Sequence, residues 1–240
     1  MVVAKHYSVK QEQRAAEVDS LLVAGIDEAG RGSVIGPLVI AGVLVEKDNL
    51  KVLVDLGVRD SKCLSPRRRE ILAEEIKRIM WKHSLAKLQP KDIDRVVIRG
   101  RRLHRLNRLE ARTMAQIIGR LHPNVVYVDA VDVLEDRFRQ HIEEYLNFKV
   151  RIISRHKADK DFPIVSAASI LAKVERDREI EKLKEIYGDF GCGYPTDPKV
   201  AEFLEQCLRE SGTYPDCVRK SWKTARMVKN HCDPGQGRLI

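Results

Sequence analysis

The apolar positions of this chain come first as runs and later at a helical period. Leu21 to Ile26 and Val34 to Val45 are two apolar runs, separated by Asp27-Glu28 and the turn Ala29-Gly30-Arg31-Gly32. Apolar runs bounded by glycine read as buried strands, here a hairpin over roughly 22–28 and 34–45. Residues 49–57 suit a short helix or loop. Ser65-Pro66 marks a helix start, serine suiting the N-cap and proline the first turn. That helix is expected to reach about Lys82, with Ile71, Leu72, Ile76 and Ile79 on one face. Ser84 to Leu88 suits a third strand and 90–98 a short helix. Leu106, Leu109, Thr113, Met114, Ile117 and Ile118 mark a helix to about Leu121. The uninterrupted Val125-Val126-Tyr127-Val128 within Asn124 to Asp129 suits a parallel strand covered on both faces.

Glu135 to Leu146 reads as helix, Phe148 to Ser154 as a final strand and His156 to Asp161 as a charged loop. Ser166 to about Tyr187 has the period of a long amphipathic helix carrying Ile170, Leu171, Val174, Ile180, Leu183 and Ile186. Gly188 to Pro195 breaks that period, and 197–211 and 217–230 are expected to be helical. Strands, then helix–strand alternation, then helices predict an α/β fold: a mixed sheet followed by a helical cap. Residues 1–20 read as a polar extension, partly helical from Gln11 to Val18, and 233–240 as a frayed tail. The remainder divides into a sheet domain over 21–190 and a cap over 191–232, with no independent linker and no internal repeat.

Composition narrows the function classes. The 240 residues are 43% hydrophobic, enough for a sizeable core, and 33% charged with a net charge of +9. A basic surplus of that size suits a polyanion partner as readily as a solvated surface. Arg99 to Arg108 holds five arginines in ten residues, which tips the balance towards polyanion contact. No apolar stretch reaches the ~18 residues of a membrane span. The five cysteines form no C-x-x-C pair and no zinc spacing, so they are expected to be reduced thiols in a cytoplasmic protein.

The candidate chemistry lies in acids at strand ends. Asp27-Glu28 close the first strand, Asp129 closes another, and Asp159 or Asp161 stands just before a helix. Sites in open α/β sheets form at the carboxyl ends of strands. Carboxylates gathered there repel one another unless divalent cations neutralise them, and oxygen donors suit Mg²⁺ or Mn²⁺. Two such ions ~4 Å apart are a device for in-line attack on a phosphodiester. Alternation along a strand lets Asp27 and Glu28 share one site only if the strand ends or bulges at Glu28. The glycines of Gly30-Arg31-Gly32 let backbone amides approach a ligand closely, and Arg31 supplies a fork suited to phosphate. Asp132 reads as a turn or cap residue and Asp177 as a helix-surface partner for a base.

The string GIDEAGRG resembles the opening motif of the ribonuclease HII family. Further matches follow in order: Arg59-Asp60-Ser61-Lys62, Leu106-Asn107 with Glu110, Tyr127-Val128-Asp129-Ala130, His156-Lys157-Ala158-Asp159, SAASILAKVERD at 166–177 and Gly193-Tyr194-Pro195. The resemblance spans about 22–225 and is of the archaeal type. It implies a ribonuclease H-like five-stranded mixed sheet flanked by helices, with a C-terminal helical extension. It implies hydrolysis of RNA in RNA–DNA hybrids and incision 5′ to a ribonucleotide embedded in duplex DNA, leaving 3′-hydroxyl and 5′-phosphate ends. The family's four metal-binding catalytic acids match Asp27, Glu28, Asp129 and Asp159, with two Mg²⁺ or Mn²⁺ ions expected. Gly30, Arg31 and Gly32 match the segment that reads the 2′-hydroxyl, Tyr194 the tyrosine that packs on the sugar past the junction, and Arg59 and Lys62 substrate contacts.

Ser33 stands where the family usually has proline, which is expected to loosen the turn, and Cys63 stands where it has a second lysine. The tail GQGRLI lacks paired aromatics, which counts against sliding-clamp binding. A monomer is expected. Two other classes remain: a nucleotide phosphotransferase, disfavoured by the absence of G-x-x-x-x-G-K-[ST] and G-x-G-x-x-G, and a non-catalytic nucleic-acid binder, disfavoured by the presence of all four acids.

Overall fold

The structure, a computed structural model, describes residues 21–58, 64–98 and 105–232. Strands β1 (Leu22–Ala29) and β2 (Leu38–Glu46) pair antiparallel as the expected hairpin. The second strand starts at Leu38, not Val34, because Val34 and Ile35 pair elsewhere: their amides donate to the Gly193 carbonyl, and Ile35 bridges Val218. A 3₁₀ turn at Lys47–Asn49 leads into α1 (Leu50–Asp55). Helix α2 (Pro66–Ile79) is capped by Ser65 as expected, its side chain accepting from the Arg68 amide at 3.3 Å. It stops at Ile79, short of Lys82, and Ile71 is exposed, because the buried stripe is Leu72, Ala73 and Ile76.

Next come β3 (Lys82–Leu88), α3 (Pro90–Ile98), α4 (Arg105–Leu121), β4 (Val125–Asp129), α5 (Glu135–Glu143) and β5 (Arg151–Arg155). The expected charged loop contains a short helix, α6 (Ala158–Asp161). Helix α7 (Pro163–Tyr187) begins three residues before Ser166, at a proline suited to its first turn. Its first half is buried all round, from Ile164 to Ala172, so amphipathicity is confined to the second half, where Ile186 proves exposed. Helix α8 (Pro198–Ser211) is followed by α9 (Lys223–Cys232). The expected helix start at 217 is wrong, since Val218 is paired with Ile35 as an extended bridge.

The sheet has the order β3-β2-β1-β4-β5. The first three strands are antiparallel neighbours, while β1–β4 and β4–β5 are parallel. Period-two alternation divides the apolar residues between two faces. Val39, Ala41, Val43 and Val45 pack with α1, α2 and α7, whereas Ala24, Ile26, Ile40, Leu44, Val126 and Val128 pack with α4 and α5. Helix α7 lies against β1 at backbone contact: a Cβ on Gly25 would stand 2.3 Å from the Ile164 carbonyl oxygen. A third cluster joins Val34 and Ile35 to Ile180, Phe190, Val200, Leu204, Tyr214 and Val218. The C-terminal segment is thereby fastened to the turn that follows β1. Among the described residues no helix is long and apolar enough to cross a membrane.

Candidate active site

The parallel register of β1 and β4 runs to Ile26↔Val128, so the next step sets Asp27 beside Asp129 at the carboxyl ends of both strands. Ile26 and Val128 point towards α4 and α5, so alternation turns both aspartates to the α7 face. There the Ser169 hydroxyl donates to Asp27. Asp27 is 4% exposed, and burial, then Asp129, raise its carboxyl well above the usual range; Asp159 adds to the rise. Asp129 Oδ1 accepts the Ala158 amide at 2.8 Å, tying the strand end to the turn that opens α6. Lys157 turns there with φ 57°, and the Ser166 hydroxyl donates to the Asp159 carbonyl oxygen. Asp159 is buried and close enough to repel Asp27, while Asp161 is exposed. The two alternatives that spacing left equal are therefore different in kind.

Glu28 departs from expectation. Strand β1 neither ends nor bulges at it: pairing stays regular through Glu28↔Ile40 and Ala29↔Val39. Glu28 thus faces the opposite side, towards Glu110 of α4. Burial raises its carboxyl well above the usual range, with Asp27, Glu110 and Asp129 adding and Arg31 partly opposing. Its Oε2 is buried with no hydrogen-bond partner. Among the described residues no three of His, Cys, Asp and Glu are already disposed around one point for a metal ion. The donor set nevertheless fits a divalent cation: oxygen ligands, mutual repulsion and an orphaned buried carboxylate oxygen.

The turn after β1 is saturated by comparison. Gly30 has φ 86°, and a Cβ there would meet the Pro37 carbonyl oxygen at 2.7 Å, so only glycine fits. Ser33 does not loosen the turn: it is fully buried, and its Oγ and amide both donate to the Gly30 carbonyl, at 2.9 and 3.3 Å. Arg31 is not a free phosphate fork. Its Nε donates to both oxygens of Glu110, at 3.0 and 3.2 Å, and its NH2 donates to Asn107 Oδ1 at 2.8 Å. Glu110 is fully buried and its carboxyl raised by burial, an effect that Arg31 only partly offsets. Asn107 then donates to Asp132, which accepts from the Leu134 amide and pairs with Arg137. Asp132 is therefore the turn residue of the expected pair of roles, not the helix cap, and Asp177 is the expected partner of bases, pairing with Lys173, Arg69 and Arg176. Gly32 is exposed, with open space where a Cβ would stand.

Tyr194 is half-buried, its ring 4.7 Å from the Arg176 guanidinium. Arg176 is itself buried and donates to the Cys192 carbonyl at 2.5 Å. The neighbouring Gly193 carbonyl accepts the Val34 and Ile35 amides at 2.8 and 3.1 Å, which ties the tyrosine's segment to the residues that follow the glycine turn. Arg59 and Lys62 lie outside the described residues. Two clefts, one lined by Glu143, Leu146 and Phe148 and the other by Leu50, Val54 and Phe162, include none of the four acids. Sequence reasoning missed Arg176, Ser169 and Arg219. The first two sit inside the SAASILAKVERD run and were within reach of it; nothing in the pattern around Arg219 marks it.

A five-stranded mixed sheet flanked by helices, with carboxylates at the ends of its parallel strands, is the ribonuclease H-like fold. The ribonuclease HII family model matches residues 24–225. The Ribonuclease HII of Thermococcus kodakarensis is 50% identical over 208 residues, 86% of this chain and 89% of that one. The ribonuclease H2 structure from Pyrococcus horikoshii superposes with a TM-score of 0.81 at 44% identity, covering 88% of this chain and 99% of the other. The ribonuclease HII of Archaeoglobus fulgidus, solved in complex with PCNA, gives 0.77 at 46% identity, over 86% and 96%. The chain belongs to the ribonuclease HII family and is a ribonuclease H-type endonuclease.

Proposed function

We propose that this enzyme hydrolyses the RNA strand of RNA–DNA hybrids and incises duplex DNA 5′ to an embedded ribonucleotide, with Asp27, Glu28, Asp129 and Asp159 holding two divalent cations. The observation that carries this reading is the crowding of carboxylates at the ends of β1 and β4, where Asp27 is buried and repelled by Asp129, and Glu28 is repelled by both and has its Oε2 left unpartnered. Bound Mg²⁺ or Mn²⁺ would supply a water acidified for attack and positive charge beside the leaving oxygen. Asp27 and Asp129 would fix those ions from the α7 face, Glu28 from the α4 face and Asp159 from α6. Metal dependence accords with the solved Mn²⁺ complex of Bst-RNase HIII, a 22% identical protein of the same fold. Gly30, Arg31 and Gly32 would present backbone groups to the ribose 2′-hydroxyl, and Tyr194 would pack on the next sugar. Arg31 acts here by holding the turn through Glu110 and Asn107. The basic surface, with Arg59 and Lys62, would hold the phosphate backbone.

The test is cleavage of a labelled DNA duplex carrying one ribonucleotide, with Mg²⁺, Mn²⁺ or chelator, beside an all-DNA duplex. Metal-dependent incision 5′ to the ribonucleotide, with the all-DNA control intact, is expected. A folded protein that binds the duplex and cuts under neither metal overturns the reading.

A further inference from the structure

Arg219, in the segment between α8 and α9, is 0% exposed yet carries a full guanidinium. Its four hydrogen bonds go to carbonyl oxygens of the turn after β1: NH2 to Gly30 at 2.7 Å, NH1 to Arg31 at 2.8 Å, and NH2 and Nε to Gly36 at 3.0 and 3.2 Å. Its own amide donates to the Val34 carbonyl at 2.8 Å, and its guanidinium lies over the Trp222 ring at 5.0 Å. Burying a guanidinium costs several kcal/mol unless every donor is well used. One residue nearly 190 positions away in the chain is therefore tied to the turn at high cost.

The consequence for the turn is geometric. In a trans peptide the C=O of one residue and the N–H of the next point in opposite directions. Drawing the Gly30 and Arg31 carbonyls inward onto Arg219 turns the Arg31 and Gly32 amides outward. The outward side is the open one, where a Cβ on Gly32 would meet nothing within 4 Å. We infer that Arg219 is a positioning residue for ribonucleotide recognition: it sets the peptide planes of Gly30-Arg31-Gly32 so that two adjacent amides face the substrate sugar. The inference rests on the reading of this turn given under the proposed function.

A second contact in the same segment separates positioning from mere stability. Asp94 of α3 accepts the Lys220 amide at 2.8 Å and the Ser221 amide at 3.0 Å, anchoring the segment without touching the turn. The experiment compares wild type, Arg219→Gln, Arg219→Lys and Asp94→Asn in Mn²⁺. Substrates are a duplex with one ribonucleotide and the same duplex with a 2′-deoxy sugar there, with kcat, KM and Tm measured for each variant. Arg219→Gln is expected to lose about 10- to 100-fold in kcat at the ribonucleotide, as removal of preorganised donors does elsewhere, while all-DNA binding stays within about twofold. Arg219→Lys keeps part of the carbonyl grip and falls between. Asp94→Asn lowers Tm but keeps kcat within about twofold of wild type. If Arg219→Gln loses no more kcat than Asp94→Asn at an equal fall in Tm, the role is structural and the inference fails. If Arg219→Gln does not fold, Arg219→Lys decides: a reduced kcat supports the inference and a wild-type kcat overturns it. A wild type that leaves the ribonucleotide intact overturns this inference together with the reading beneath it.

Discussion

The carboxyl ends of β1 and β4 and the turn from Gly30 to Gly36 adjoin in the chain and are opposite in electrostatic condition. At the strand ends, Asp27 is repelled by Asp129 and by Asp159 of α6, Glu28 is repelled by Asp27 and Asp129, and one carboxylate oxygen has no partner. In the turn, the carbonyls of Gly30, Arg31, Val34 and Gly36 are all accepted contacts of Arg219 or Ser33, and the Arg31 side chain is held by Glu110 and Asn107. The first region is short of positive charge, whereas in the second the guanidinium groups of Arg31 and Arg219 have acceptors in place. A deficit of that kind is relieved by a cation, whereas saturation fixes a shape. The contrast predicts that substitutions in the two regions move stability in opposite directions.

Asp129→Asn carries the largest expected effect. Asparagine can still accept the Ala158 amide, so the local structure survives. Cleavage should fall by roughly 10³-fold or more, about 4 kcal/mol of barrier, while duplex binding, which rests on the basic surface, is retained. Because one repelling charge is removed, Tm without metal should stay level or rise. A marked fall in Tm would break the contrast at its first side.

Gly30→Ala tests the other side. A residue with a Cβ at φ 86° and 2.7 Å from the Pro37 carbonyl oxygen must displace backbone. The expected loss is about 2–3 kcal/mol of stability, read by chemical denaturation, with cleavage falling alongside. Asp132→Asn probes the outer support of the same turn, through Asn107 to Arg31. Its hydrogen bonds with Arg137, Leu134 and Asn107 outweigh burial and hold the Asp132 carboxyl well below the usual range. A depressed carboxylate contributes stability above its unfolded pKa and loses it as pH falls towards the folded one. The variant should therefore cost about 2 kcal/mol at pH 7, with the difference shrinking below about pH 4. A difference unchanged at pH 3 would mean that Asp132 supports the turn by packing rather than charge.

Strands, helices and strand-end acids were legible because each is written locally. An uninterrupted apolar run marks β2, Ser65-Pro66 marks α2, and an acid after an apolar run marks Asp129. Part of what failed needed a partner distant in the chain. Strand β2 begins late because Val34 and Ile35 pair with Gly193 and Val218. Arg31 looked free until Glu110 was beside it, and Ser33 looked loosening until its hydroxyl met Gly30. Glu28 would share a face with Asp27 only if the strand ended or bulged there, and pairing continues regularly through Ala29. Ile71 and Ile186 lie at helical spacing from buried residues, yet both are exposed.

Gly32→Ala gives the smallest effect and the sharpest division between shape and stability. Unlike Gly30, Gly32 has no positive φ and no atom within 4 Å of a built Cβ, and it is exposed. The new methyl therefore enters space that the protein leaves open, and stability should change by less than about 0.5 kcal/mol. If that space is where a ribose approaches the turn, the methyl must meet the ligand instead. Incision at a single ribonucleotide should then fall about tenfold, roughly 1.4 kcal/mol, chiefly through KM. A loss of both Tm and rate would place Gly32 with Gly30, inside the locked shape. Unchanged rate with unchanged Tm would move the ribose contact away from the outward amides and leave the saturated turn with a purely structural role.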